Sequence, residues 1–522
     1  MGATPNGVVQ RLMDNAAPCP TLRDEVLNGC YFGAAWSEAA RRVASFPTQN
    51  CGEALVAWFG RERAEHLVGS PEVLRGALDR DIAAIDALIS EQLDIILHHE
   101  RLRRLEGSWR GLVWLVRALD PAGRVKVKLL NVAWRELCRD LERAIEFDQS
   151  QMFRKIYEEE FGSPGGEPYG LLVIDHEVRH RPSPRTARDG PPTDDVAGLA
   201  ALANVAAAAF SPTVVAASPA LLGVDEFSDL THVTDMVAPF RGPEYARWRS
   251  LSTREEMRFV ALTLPRVLAR PPWRDDPARA DGFRYAEYAP DRTGRVWMSA
   301  GYAFAAVVAR AFANHAWPAD IRGAETDRLG GGVVAELPTE TFRTDPEHVW
   351  VRPSLDVVLT DAQERALFDI GMMPLAALPF TEEAIFSSAQ SLQRAARYIG
   401  STAAAAEASA RLSTQVNSML TVSRFAHYIK MLGREAVGSF QTAGEIERRL
   451  QGWLSNYVNS NPRGGADMRA RYPLVSGQVT VAERPGKPGV FGCTVLLQPS
   501  FQLDDVSATF RLVTEFATPG QL

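Results

Sequence analysis

The chain is 522 residues long, which at about 150 residues per domain gives room for three or four domains and several hydrophobic cores. Hydrophobic residues make up 46% and charged residues 23%, the balance of a folded soluble protein, which excludes disorder or a fibrous repeat as a description of the whole. With 57 Lys and Arg against 64 Asp and Glu the net charge is -7, which excludes nucleic acid as the main partner.

The first residues, MGATPNGVVQRLMDNA, lack a basic start followed by an apolar run, so no secretory signal is expected and the protein should remain in the cytoplasm. The five cysteines, Cys19, Cys30, Cys51, Cys138 and Cys493, form no C-x-x-C pair, so neither a disulfide framework nor a zinc knuckle is predicted. Ile82, Ile85, Ile89, Leu93 and Ile96 recur three or four apart and predict a helix with something to pack against. A second helix follows around Trp109 to Leu119. VKVKL at 125–129 alternates apolar residues with Lys and predicts a strand with one wet face. Helical spacing returns at Trp134, Leu137, Leu141 and Ile145, and YGLLVID from Tyr169 predicts a short, nearly all-apolar strand. Residues 181–193 are rich in proline and predict an exposed loop.

Val196 to Val224 carries no charge and is long enough to span a bilayer, but Pro212 and Pro219 interrupt it. It reads as a helix to about Phe210 followed by a buried strand at Thr213 to Ala217, so no membrane span is expected. Ser252 with Glu255, Asp361 with Glu364, and Thr442 with Glu445 have the spacing of capping boxes and predict helix starts. Ile446, Leu450, Trp453, Leu454 and Tyr457 line one face of a later helix. QVTVAE at 478–483 and GCTVLLQP at 492–499, around PGKPG, predict a hairpin. A last strand follows, where Val506, Ala508, Phe510 and Leu512 alternate with Ser507, Thr509 and Arg511. The chain ends in strands whose edges must be covered.

HEVRH at 176–180 matches the H-E-x-x-H string of zinc peptidases, in which His176 and His180 would share a helix face and Glu177 would act as general base. The context is a strand: YGLLVID leads straight in, Val178 is β-branched, and Pro182 and Pro184 follow. Residues i and i+4 of a strand are roughly 13 Å apart, too far for two ligands of one zinc. GGGVV at 330–334 lacks the Lys-Ser/Thr end of a phosphate loop and reads as a turn. The basic stretch at 463–471 reads as a charged surface, and His427, beside Phe425 and Tyr428, as a packing residue. No catalytic, cofactor-binding or metal residue is assigned, and no cofactor or enzymatic activity is expected.

Several strings resemble one family, the large subunit of the type VI secretion contractile sheath. Glu146 to Glu177 (EFDQSQMFRKIYEEEFGSPGGEPYGLLVIDHE) looks like its most distinctive stretch. LEGSWRGLVWLV at 105–116, WRSLSTREEMRFVALTLPRVLAR at 248–270 and GGGVVAELPTETF at 330–342 are similar to it in the same order. So are RFAHYIKMLGREAVGSF at 424–440, RYPL at 471–474 and PSFQLDDVSATFRLVTEF at 499–516.

The resemblance implies an α/β (α+β) fold, with layered mixed sheets and flanking helices, plus a C-terminal helical and β-strand region forming an intersubunit sheet. It divides the chain into a divergent, partly helical region at 1–79, a sheath body at 80–380 forming outer layers, and an inner layer at 381–522. It implies a structural, non-enzymatic role: pairing with a small sheath subunit and stacking as hexameric rings into a helical tube around an inner tube protein. A baseplate and a recycling unfoldase ATPase are the further implied partners. The strand residues expected between subunits are Val479, Val481, Val495, Leu497, Val506, Ala508, Phe510 and Leu512. The alternatives are a zinc-dependent hydrolase using HEVRH and a non-polymerising, sheath-like baseplate or adaptor protein.

Overall fold

Helix dominates the amino-terminal part, as its apolar spacing dictates. The computed structural model describes residues 21–27, 36–122, 124–163, 165–182, 192–276, 278, 282–324, 329–379, 381–396, 407, 410–411, 413–437, 442–459, 465–483, 491–500 and 510–516. Two compact units are present, one of residues 1–103 with 272–295 and one of 104–271 with 296–522.

In the first unit, helices α1 (Leu22–Leu27), α2 (Trp36–Ser45), α3 (Cys51–Phe59), α4 (Arg61–Val68) and α5 (Pro71–Leu97) follow in order. Asn50 caps α3 by accepting from the Glu53 amide at 2.9 Å, and Pro71 opens α5 where no amide partner is lost. Phe59, Ala64, Leu67 and Ala77 form a small core. Beside it lies buried Asp81. Burial alone would raise its carboxyl, but hydrogen bonds from Arg23 (2.8 Å) and Trp58 Nε1 (3.0 Å) outweigh that and hold it below the usual range. On the face of α5 expected to be packed, Ile85 and Leu93 are half-buried, but Ile82, Ile89 and Ile96 remain exposed, at 51%, 43% and 48%. Spacing dictates the helix and its stripe, but it does not supply the cover.

In the second unit, α6 (Glu100–Ala118), which begins in the first, presents Gly107 and Gly111 four residues apart on one face. They lie against β5 (Val296–Met298) and the Tyr302 ring. A methyl group at 107 would overlap the Trp297 carbonyl oxygen, so the two glycines in LEGSWRG let helix and strand approach closely. Gly107→Ala should therefore destabilise the body by about 2–3 kcal/mol, despite alanine's better helix propensity. A urea midpoint equal to or above that of the parent would contradict this.

The central sheet follows from two all-apolar strands that need cover on both faces. Its order is β1 (Leu172–Val178), β2 (Thr213–Ala217), β3 (Val260–Leu264), β6 (Met373–Pro374), all parallel. Helix α7 (Trp134–Arg143) precedes β1, and Asp194 caps α8 (Asp195–Ala209), which crosses from β1 to β2; every residue of β2 is buried. Successive β2 residues face opposite sides. Val215 packs with Leu199 and Ala203 of α8, and Val214 with Ala303, Phe304 and Val307 of α9 (Ala300–His315). The uncharged run from Val196 is thus the middle of a helix–sheet–helix sandwich. Among the described residues no helix is long and apolar enough to cross a membrane. β4 (Val267–Arg270) pairs antiparallel with β5, and Arg270 reaches Glu106 of α6 at 2.6 Å.

Three expectations need correction. VKVKL at 125–129 is not a strand of this chain. Among the described residues it has no strand partner, while Lys126 and Lys128 bind Glu167 and Glu160 at 2.6 and 2.5 Å. Alternation sets which side chains share a face, but a strand also needs a neighbour. Ser252 ends the short helix Ala246–Ser252 instead of starting one, its hydroxyl donating back to the Arg249 carbonyl. The cap of α10 (Asp361–Asp369) is Thr360, with Gln363 completing the box, one residue before the expected Asp361. Thr442 and Glu445 do form the expected box, with the Thr442 amide donating to Glu445 at 2.8 Å. Most of the loop expected at 181–193 lies outside the described residues.

Candidate assembly surface

The C-terminal hairpin expected from alternation is present, extended by one strand: β7 (Leu474–Glu483), β8 (Phe491–Pro499) and β9 (Phe510–Phe516) form an antiparallel sheet with β8 in the middle. Val479, Val481, Val495 and Leu497 all turn to one face and are buried. There they meet Ile446, Leu450 and Leu454 of α12 (Ala443–Ser455) and Phe425 of α11 (Val416–Val437). Phe510 and Leu512 sit on β9 opposite Leu497 and Val495. Val506 and Ala508 lie outside the described residues.

The two edges of this sheet differ. On β7, Gln451 of α12 accepts from the Val479 amide at 2.8 Å and donates to the Gly477 carbonyl at 3.0 Å, and Glu447 accepts from the Val481 amide at 2.8 Å. Helix side chains thus occupy the outward backbone groups of β7, which would otherwise template another strand. Gln451 and Glu447 escaped the sequence reading. They are four apart and share a helix face, but nothing in that spacing shows that a strand edge lies beside it.

The same bonds fix the register of outward groups across the sheet. Since the amides of Val479 and Val481 point away from β8, their partners Val495 and Cys493 point toward β9. Leu512 and Thr514, opposite them, bond inward, and the amides of Arg511 and Val513 face out along an edge that no described strand pairs.

The remaining motif residues serve packing. His176 and Glu177 lie in β1, the extended context expected for them. The His176 ring stacks on Trp134 at 4.6 Å, with Nε2 3.4 Å from Asp195 Oδ2, while Glu177 binds Arg266 through both oxygens at 2.5 and 2.7 Å. His180 stacks on Tyr245 at 3.9 Å. Asp195, at the start of α8, also accepts from Trp134 Nε1 and the Arg179 amide, which together with His176 outweigh its burial and keep its carboxyl below the usual range. Among the described residues no group of three or more His, Cys, Asp or Glu side chains is placed to hold a metal. In GGGVV, Gly331 has φ +58°, which favours glycine, and its amide donates to Asp320 at 3.2 Å.

His427 of α11 is buried and donates from Nε2 to the Ala209 carbonyl at 3.1 Å, satisfying one of the acceptors left open at the end of α8. Burial lowers its pKa to about 4. The bond to Ala209 opposes this, and the charges of Arg424 and Lys430 add to it. Since the unfolded chain takes up this proton near pH 6.5 and the folded chain does not, stability falls as pH drops from 6.5 toward 4, by up to about 3 kcal/mol. His427→Gln should flatten that part of the pH–stability curve. An unchanged slope in thermal melts between pH 4.5 and 7 would contradict the assignment.

Comparison with known proteins decides the family. The tail sheath N-terminal domain of the EvpB/VC_A0108 type matches residues 79–393, and the tail sheath gpW/gp25-like domain of the same type matches 405–516. The chain belongs to the type VI secretion sheath family. The type VI secretion system sheath protein TssC1 of Pseudomonas aeruginosa is 35% identical over 464 residues, covering 87% of this chain and 90% of that protein. A sheath tail protein from Desulfitobacterium hafniense aligns over 63% of each chain at 10% identity with a TM-score of 0.27. As a type VI sheath large subunit the chain has a structural role, and this family is not one of enzymes. The zinc-hydrolase alternative gains nothing from the comparisons; of its two histidines, His176 stacks and hydrogen-bonds within β1, and His180, beyond the end of β1, stacks on Tyr245.

Proposed function

We propose that this large sheath subunit co-assembles in the cytoplasm with a small sheath subunit into hexameric rings stacked as a helical tube, with a β-strand of a neighbouring protomer completing the C-terminal sheet. The observation that carries the reading is the asymmetry of that sheet: β7 is capped by Gln451 and Glu447, whereas β9 leaves the outward amides of Arg511 and Val513 unpaired by any described strand. Strand addition at one edge only is head-to-tail, and head-to-tail contacts that do not close on themselves generate filaments.

In this reading the strand segments holding Val479, Val481, Val495, Leu497, Val506, Ala508, Phe510 and Leu512 form the intersubunit layer with the rest of 381–522. The body at 80–380 then forms the outer layers. The first four contribute by anchoring the sheet to α11 and α12, which leaves the backbone of β9 for pairing. Contraction is a rigid-body rearrangement of bodies joined through such sheets, driving an inner tube protein from a baseplate, with an unfoldase ATPase recycling the spent sheath. Co-expression with the small subunit followed by negative-stain microscopy tests this. Tubules are expected, whereas a soluble complex that never polymerises would favour the adaptor reading.

A further inference from the structure

We infer that Lys430 of α11 is a charge-dependent latch that holds the C-terminal sheet to α8 and, in an assembled tube, passes the pull of a neighbouring protomer on to the central sheet; its part in the tube rests on the reading above. The latch begins in the helical stretch 151–161, whose middle turn, Arg154–Glu158, is a π-helix. Such wide turns are rare and concentrate at functional sites. A turn closed from i to i+5 holds more than four residues, which offsets the drift of a four-residue spacing around an ordinary 3.6-residue turn. Phe153, Tyr157 and Phe161 therefore stay in one column, ring next to ring at 4.9 and 4.7 Å.

The Lys430 ammonium stands over the Tyr157 ring at 4.7 Å, the Phe210 ring at 4.9 Å and the Phe161 ring at 5.6 Å, and it donates to the Tyr157 hydroxyl at 3.0 Å. Among the described residues no carboxylate pairs with it, so the faces of three rings stand in for a counter-ion. One of those rings is held there at a cost. Phe210 ends α8 with φ 51°, a left-handed conformation that is unfavourable for a bulky side chain and persists only where its surroundings impose it. His427 and Arg434, three residues before and four after Lys430 on the same face of α11, grip the same two helix ends. His427 donates to the Ala209 carbonyl at the end of α8, and Arg434 donates to the Phe161 carbonyl at the end of 151–161, where positive charge is favoured.

What the latch joins follows from the packing on either side of it. α11 carries the C-terminal sheet, since Phe425 and Ile429 share one buried cluster with Val479, Val481, Val495 and Leu497. α8 covers the central sheet, with Leu199 and Ala203 against Val215. A pull on β9 by a neighbour therefore reaches the central sheet through the contact of α11 with α8 and 151–161. Apolar burial resists separation there but is non-directional, whereas a cation held over three rings and by a hydroxyl sets one position. Lys430 acts through its charge and place, and its methylene stem alone cannot replace it.

The test uses the full-length chain co-purified with the small subunit, as the parent, Lys430→Met and Lys430→Arg. Methionine keeps an unbranched apolar side chain and drops the charge, whereas arginine keeps the charge. In Lys430→Met the amides of α11 and β8 should exchange at least about 10-fold faster than in the parent, those of α8 should stay within about twofold, and Lys430→Arg should restore the parental rates. Tubes of the methionine variant should be fewer and shorter by negative-stain microscopy. Tyr157→Leu, which removes one wall of the cage and leaves the charge, should shift exchange in the same direction. Parental exchange in Lys430→Met or Tyr157→Leu overturns the latch, as does a Lys430→Arg variant as fast as the methionine one. Parental tubes from a methionine variant whose exchange has risen overturn its part in the tube. If the parent chain itself forms no tubes, the sheath reading fails and the exchange rates still decide the latch.

Discussion

Val513→Pro leaves the subunit folded and bound to the small subunit but abolishes tube formation. Proline removes the backbone donor and is tolerated on an edge strand where that donor faces away from its own sheet. The bonds from Gln451 and Glu447 to β7 place the Val513 amide on the outer side of β9, so the change removes a group offered to a neighbour and keeps the ladder to β8. Leu512→Pro is the control, because its amide points inward at Val495 and its loss opens the subunit's own sheet. Removing residues 508–522 should likewise leave a soluble heterodimer without tubes. The measurement is negative-stain microscopy with a co-purification check. Intact tubes from the Val513→Pro variant or from the truncation would remove the β9 edge from the assembly mechanism.

Phe425→Ala should cost about 3–5 kcal/mol and release the C-terminal helices and sheet from the body. Phe425 is fully buried and stacks on Trp317 at 4.2 Å, with Trp453 and Tyr457 edge-on at 5.8 Å each. The loss combines the transfer free energy of the ring, the cavity it leaves and its aromatic contacts. The same cluster takes in Ala206 of α8 and the inward residues of β7 and β8, so one ring holds the C-terminal sheet to the layer beneath it. Urea unfolding followed by tryptophan fluorescence checks this, with Phe425→Leu as a milder comparison. A loss below about 1 kcal/mol for the alanine variant would mean that the cluster closes around the gap.

How much of the structure is legible in the sequence depends on the range of the interaction involved. Thr213 to Ala217 was legible as a buried strand because five apolar or hydroxyl residues between a proline and a serine admit little else, and all five are buried. Thr442 and Glu445 were legible because a capping box is a contact within four residues. Ser252 failed as a cap for the same local reason in reverse: its hydroxyl found the carbonyl of the preceding turn first. VKVKL was legible as a pattern and not as a strand. Its hydrogen bonds need a second chain segment, which alternation cannot name.

Composition, length and local periodicity by themselves determined a folded, mildly acidic chain, several of its helices, the terminal strands and which face of each is apolar. Such properties depend on residues within one or two turns of each other. Only the tertiary structure decided that Gln451 and Glu447 close one edge of the terminal sheet, that His427 satisfies Ala209, that part of the α5 stripe stays exposed, and that no described strand pairs the outer edge of β1. Each depends on what lies next to an element in space.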